Sequence, residues 1–430
     1  MNKILIDKIS AADNQVDLYK APYKTIKEFY TEPCADFKCR KDLHVAVVAA
    51  PCHGFGDVIF ASKFANYIKK GLFSTNPYSS NVVLITSLPN LFKTLDNTEI
   101  PIIGLQGRKK QCRKLQHYKR PIGLETLDLI FIAPLNFDYN VEYVDVKGLF
   151  NESTPFNTIF VSEYQTGLRP GLEFDIPTGI GPDYFGLLFD DLAPSPKLSK
   201  VGKTPYILAY LAKDIGIHYC LSNFIKMSVK KYSKYSRLQI VLPKWSINII
   251  QKNASLLKFL KEYYSNCIAI INNMVKDIYY SKDNRRFLTL RGDIFPVKRK
   301  DMLSLIKYSL PDVLLTGDQS VTDAIDCCSN KIIWYQMAPW KIAFAHKLST
   351  EFKNPFLHSS TTSCGTLRAL NWRPAQNDLK TQNDFRIKAR HVLDAIFRAV
   401  SESKDPHSQI AKYLALLSKS KSKKILLQGI

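Results

Sequence analysis

The feature that most constrains this chain is an alternation, run twice, of short apolar runs with helical-period stretches. LHVAVVAA, Leu43 to Ala50, reads as a buried strand. Behind it Ala61, Phe64, Ala65 and Ile68 fall at i, i+3, i+4 and i+7, one face of a helix. NVVLITS, LDLIFIAPL and NTIFVS read as further strands, with LPNLFKTL a short helix. A Gly- and Pro-rich stretch from Thr166 then interrupts the pattern, which restarts at PYILAYLA. LQIVLP, CIAIIN, RFLTLRG, DVLLTGD and KIIWYQ follow as strands, interleaved with helical patterns such as YCLSNFIKMSVKKYS, KDMLSLIKYS and SVTDAIDCC. Near-continuous apolar strands set among helices predict parallel sheets covered on both faces. The expected class is α/β, with two doubly wound, Rossmann-like domains.

The expected division is an arm over 1–42, a first domain over 43–200 and a second over 203–373. C-terminal helices over 374–418 pack back on the first domain, and 419–430 is a basic tail. PTGIGPDYFG, inside the Gly-rich stretch, reads as a loop or lid near the hinge. A length of 430 residues with 46% apolar content suits two cores. No stretch approaches the roughly 20 apolar residues of a spanning helix, and the N-terminus lacks a signal-peptide core. A cytoplasmic location is expected. The nine cysteines are scattered without zinc spacing and read as reduced thiols.

Sixty Lys and Arg against 38 Asp and Glu give a formal charge of +22. That balance favours anionic partners: nucleotides, nucleic acid or an acidic membrane. Part of it sits in local runs, GRKKQCRKLQHYKR (107–120) and SKSKSKKILL (418–427). Neither has the aromatic interleaving of a single-strand binding platform, and no helix-turn-helix or zinc-finger pattern occurs.

In doubly wound sheets ligands bind beyond the carboxyl ends of the strands. Two loops stand there. APCHGFGD follows the first strand, with His53, Gly54, Gly56 and Asp57 leading into a helix; its glycines let backbone crowd a ligand. It is neither G-x-G-x-x-G nor a P-loop. LLTGDQS ends a later strand, with Thr316, Gly317, Asp318, Gln319 and Ser320 turning into a helix. Asp318 or Ser320 is expected to cap that helix, whose free N–H groups would favour a phosphate. Lys244 and Arg291, at strand ends, are candidate phosphate contacts. Tyr335 and Gln336, with Trp340 and Lys341 beyond, are candidates to hold a base or sugar. Glu163, Tyr164 and Arg169 end another strand and are candidates for the acceptor side.

A strand, a short Gly-containing loop with GD, and then a helix resembles the start of GT-B-fold glycosyltransferases, heptosyltransferase-like ones in particular. KRKDMLSLIKYSLPDVLLTGDQSVTDAI is similar to their nucleotide-sugar half. The resemblance implies a GT-B-like pair of domains, with C-terminal helices crossing back to the first. It implies a nucleotide-diphosphate sugar as co-substrate, no other cofactor and no bound metal. It also implies an inverting transfer with Asp57 as the base that activates the acceptor; His53 is the second choice. The acceptor, whether glycan, lipid or protein, stays open. Two other readings compete: a nucleotide-sugar epimerase of similar fold, and an inactive basic scaffold or nucleic-acid-binding protein.

Overall fold

The computed structural model describes residues 42–49, 55–71, 79–96, 99–104, 127–135, 158–165, 175–190, 192–213, 217–282, 285–328, 330–336, 341–351, 356–358, 365–367, 380, 382–402 and 410. The chain divides into two compact units, one of residues 1–189 with 381–430 and the other of 190–380.

The first unit is built on β1 (Asp42–Ala49), α1 (Phe55–Lys69), β2 (Ser79–Thr86), α2 (Pro89–Asp96), β3 (Ile102–Gly104), β4 (Leu129–Leu135), β5 (Thr158–Ser162) and β6 (Asp175–Ile176). The sheet runs β3-β2-β1-β4-β5-β6 with every pair parallel. That is the order of a doubly wound dinucleotide-type sheet, which reverses beside β1. Leu43 and Val45 to Ala49 are fully buried, as expected of a central strand covered on both faces. α1 lays Val58, Ala61, Phe64 and Ala65 on the sheet, with the Phe64 ring 5.0 Å from Phe131, edge on.

The second unit contains β7 (Tyr206–Ala209), α3 (Ile217–Lys231), β8 (Arg237–Val241), α4 (Lys244–Lys252), α5 (Ala254–Tyr263), β9 (Asn266–Ile271) and β10 (Met274–Tyr279). It continues with β11 (Phe287–Arg291), α6 (Arg299–Tyr308), β12 (Asp312–Thr316), α7 (Asp318–Cys327), β13 (Ile332–Gln336), α8 (Ile342–Glu351) and a short pair, β14 (Phe356–His358) and β15 (Gly365–Leu367). The main sheet runs β10-β9-β11-β8-β7-β12-β13. All its pairs are parallel except the β9–β10 hairpin. From β7 the chain crosses to β8 on one side, while β12 lies on the other, so the order reverses between β7 and β12. The core gathers Ile207, Leu221, Phe224, Leu238, Ile240, Leu260, Leu288 and Leu314.

Back in the first unit, α9 (Phe385–Lys388) and α10 (Arg390–Glu402) pack on its core. Phe385 sits 5.9 Å from the Phe64 ring and Phe397 6.2 Å from Phe131.

Three expectations change. The units divide at 189/190, not at 200–203. The Pro-rich segment before β7 belongs to the second unit because Ser195 N–H donates to Lys300 O and Ser304 Oγ donates to Pro196 O. PTGIGPDYFG is no lid. Thr178 exchanges hydrogen bonds with Ser162, Gln165 holds both N–H and C=O of Ile180, and Gly181 N–H donates to Asn383 Oδ1. Behind it the fully buried Lys63 ammonium donates to Leu188 O at 2.8 Å. Finally, Cys220 is disulfide-bonded, so the cysteines are not uniformly free thiols; Cys267, Cys327 and Cys328 are free.

Lys331 is buried before β13, where its ammonium donates to Ser309 O and Leu310 O. Burial pulls its pKa down to about 8, against the nearby thiols and Asp312. Below pH 8 both folded and unfolded chains carry the proton. Between about 8 and the ordinary 10.5 the unfolded chain binds more protons than the folded one. Stability from this group therefore rises with pH across that window, with a limiting slope of about 1.4 kcal/mol per unit. The difference between wild type and Lys331→Met in denaturant unfolding should change by this slope; a flat difference would refute the assignment.

Candidate functional site

In the first unit Gly56 and Asp57 stand at the start of α1, which follows β1 at the strand-order reversal. His53 and Gly54 lie outside the described residues, as does Arg169. α1 starts at Phe55, so Asp57 is half-buried in its first turn and is not the cap. A carboxylate there faces the positive end of the helix, which favours its charge. Gly56 is helical, and a Cβ placed on it would meet nothing within 4 Å. No strained turn or tight packing requires this glycine. The space in front of it is open.

That observation gives a sharp test. Gly56→Ala should stabilise the protein by about 0.5–1 kcal/mol, the helix-propensity gain. If a substrate occupies the open space, KM should rise in the same variant. Stabilisation with unchanged kinetics would mean that nothing docks against Gly56.

Beyond β5, Glu163 is half-buried. Tyr164 is not free for an acceptor: it is 2% exposed and its hydroxyl accepts the Leu188 N–H at 2.8 Å. It fixes the segment that replaces the expected lid.

In the second unit β12 ends at Thr316 and α7 begins at Asp318. Gly317 is the residue before the helix, with φ 75° and ψ 149° and no side-chain cap. The capping role given to Asp318 or Ser320 is therefore corrected. This backbone region is essentially restricted to glycine, and a Cβ on Gly317 would meet open space. α7 thus presents an N-terminus without a side-chain cap at an exposed glycine, the arrangement that takes an anion. Ser320 is half-buried in its first turn. Gln319 is 5% exposed, and its buried Oε1 accepts no hydrogen bond from the protein. A buried orphan acceptor costs about 1–3 kcal/mol unless a donor reaches it.

The other candidates divide by what holds them. Asp318 is 9% exposed, pairs with Lys341 Nζ at 2.6 Å and accepts from the Tyr335 hydroxyl at 3.1 Å. Tyr335 and Lys341 are therefore engaged in orienting this carboxylate; Trp340 lies outside the described residues. Gln336 is 1% exposed, and its amide clamps both N–H and C=O of Ala212 beyond β7. Thr316 Oγ1 donates to Gln336 O at 3.4 Å. Arg291 is also removed from the phosphate contacts. Its guanidinium forks onto Asp293 at 2.8 and 3.0 Å and also donates to Gln239 Oε1 and Lys200 O. Lys244 remains: it is exposed at the first position of α4, beyond β8, reaching Asn272 Oδ1 at 3.3 Å. Among the described residues no three His, Cys, Asp or Glu side chains come together as a metal cluster.

Fold and loops define a chain of two Rossmann-like α/β units, each with a glycine-opened helix N-terminus at its strand-order reversal. No family model and no curated protein matches the sequence. Solved structures do. A family 9 glycosyl transferase from Veillonella parvula is 9% identical with a TM-score of 0.35, covering 73% of this chain and 90% of its own. MnaA from S. aureus, solved with UDP, is 11% identical with a TM-score of 0.35, over 87% and 95%. A trehalose-6-phosphate structure from E. coli bound with UDP-2-fluoro glucose is 10% identical with a TM-score of 0.37, over 87% and 98%.

Proposed function

We propose that the chain is a glycosyltransferase that takes its sugar from a nucleotide-diphosphate donor. The observation that carries this is the α7 N-terminus, where Gly317 opens the backbone, no side chain caps the helix and a Cβ on Gly317 would meet nothing within 4 Å. Backbone N–H groups of that first turn would bind the donor diphosphate, with Ser320 beside them. Gln319 shares that first turn, with its Oε1 buried away from the donor. Lys244 offers a mobile cation for the leaving group, so the reading needs no resident metal, and turnover should survive EDTA. In the first unit Asp57 takes the proton from the acceptor nucleophile as it attacks the anomeric carbon, which makes the transfer inverting. His53 is the reserve base.

Nucleoside diphosphates titrated calorimetrically into the full chain test the donor site. Gly317→Val combined with Ser320→Ala should weaken the bound diphosphate at least about ten-fold, the loss of one charge-assisted hydrogen bond. Folding is checked by circular dichroism, since Gly317 is conformationally restricted. Unchanged affinity in a folded double variant would remove this site.

A further inference from the structure

We infer that the β10 edge of the second unit is a docking surface for an acidic phospholipid bilayer. Among the described residues three large apolar side chains are more than half exposed, and all three lie on this ribbon: Met274 at 66%, Val275 at 64% and Tyr280, next after β10, at 64%. Asn272 and Asn273, both at positive φ, form the tight turn that sets Met274 and Val275 at the hairpin tip. β10 pairs only with β9, so its other edge is unpaired by any described strand. Its six residues span about 20 Å.

Cations border this apolar strip along its length. Lys276 is exposed within β10, Lys244 reaches the turn at Asn272, and Lys282 follows Tyr280. Lys261 lies 5.5 Å from the Tyr279 ring centroid, and Lys258 and Arg285 are exposed nearby in sequence. Glu262 and Asp277 are the exposed acids of the same stretch. From Lys252 to Arg286 seven basic residues face three acids. Aliphatic tips flanked by lysines match an interface where apolar groups enter the acyl boundary and ammonium groups stay at the phosphates. A nucleic-acid platform would instead present several stacked aromatics, and Tyr280 is the one aromatic of this strip that is more than half exposed.

Co-sedimentation of the full chain with phosphatidylcholine vesicles, with and without phosphatidylglycerol, tests this. Binding should require the acidic lipid and fall with salt. Met274→Glu with Val275→Glu should abolish it. Lys261→Gln, Lys276→Gln and Lys282→Gln should each lower partitioning about five-fold, with thermal melting unchanged. All four variants keep the basic runs 107–120 and 418–427 intact. Binding unaffected by any of the four would assign it to those runs and overturn the proposal. So would wild-type protein that ignores acidic vesicles, or a dimer in light scattering that the Met274→Glu variant dissolves.

Discussion

Replacing Arg299 by Met is expected to cost the second unit about 3–5 kcal/mol, the penalty for stranding buried charge. Arg299 opens α6 with its side chain 4% exposed. Its guanidinium makes two forks, to Asp323 at 2.8 and 3.2 Å and to Asp190 at 2.6 and 2.8 Å. Asp190 N–H in turn donates to Asp326, which pairs with Lys380. Asp190 and Lys380 are the first and last residues of the unit. One cluster on α6 and α7 therefore ties down both places where the chain enters and leaves it. The Met variant leaves two carboxylates facing each other across the cavity of the lost fork. Adding Asp190→Asn and Asp323→Asn removes that repulsion, so the triple variant should recover a large part of the loss. Urea unfolding followed by tryptophan fluorescence reads both. A single-variant loss below about 1 kcal/mol would mean that the pair is exposed enough for water to replace it.

The longer parallel strands of the two sheets were legible because a strand buried on both faces must be apolar throughout, as in LHVAVVAA and DVLLTGD; β3 and β6, three and two residues long, were too short to leave that signal. β10 was missed for the converse reason. MVKDIY is exposed over most of its length, so neither continuity nor alternation marks it. The one local signal was the Asn272–Asn273 pair, two residues that tolerate positive φ. Breaker counting read PTGIGPDYFG correctly as a loop but left a lid open, since Gly and Pro report the absence of regular structure and not the absence of partners. Its partners come from Ser162, Gln165 and Asn383, the last lying two hundred residues away in sequence. The site residues follow the same rule. Position at a strand end placed Thr316, Gly317 and Asp57 at helix starts. It said nothing of what holds Arg291 or Asp318, because Gln239 and Lys341 reach them through tertiary packing. Only Asp293, two residues beyond Arg291, left a local trace, in the run RGD.

Asp57→Asn is expected to lower turnover by about 10² or more while leaving donor affinity unchanged, the signature of a lost general base. The substitution keeps size and one acceptor oxygen, turns the other into an NH2 donor, and removes the charge and the ability to accept a proton. Asp57 lies in the first turn of α1 and not at its cap, and its interaction with the helix dipole is one part of the structural cost, about 0.3–1 kcal/mol. Stability and rate therefore separate. A purely structural Asp57 would show that small loss of stability with near-normal turnover. A catalytic one shows a large fall in kcat with KM for the donor unmoved, because the proposed donor contacts are those of α7. Measuring kcat with saturating acceptor, together with calorimetric nucleoside-diphosphate binding, distinguishes the two. Near-normal turnover in Asp57→Asn would withdraw the base assignment and make His53→Asn the next variant to assay.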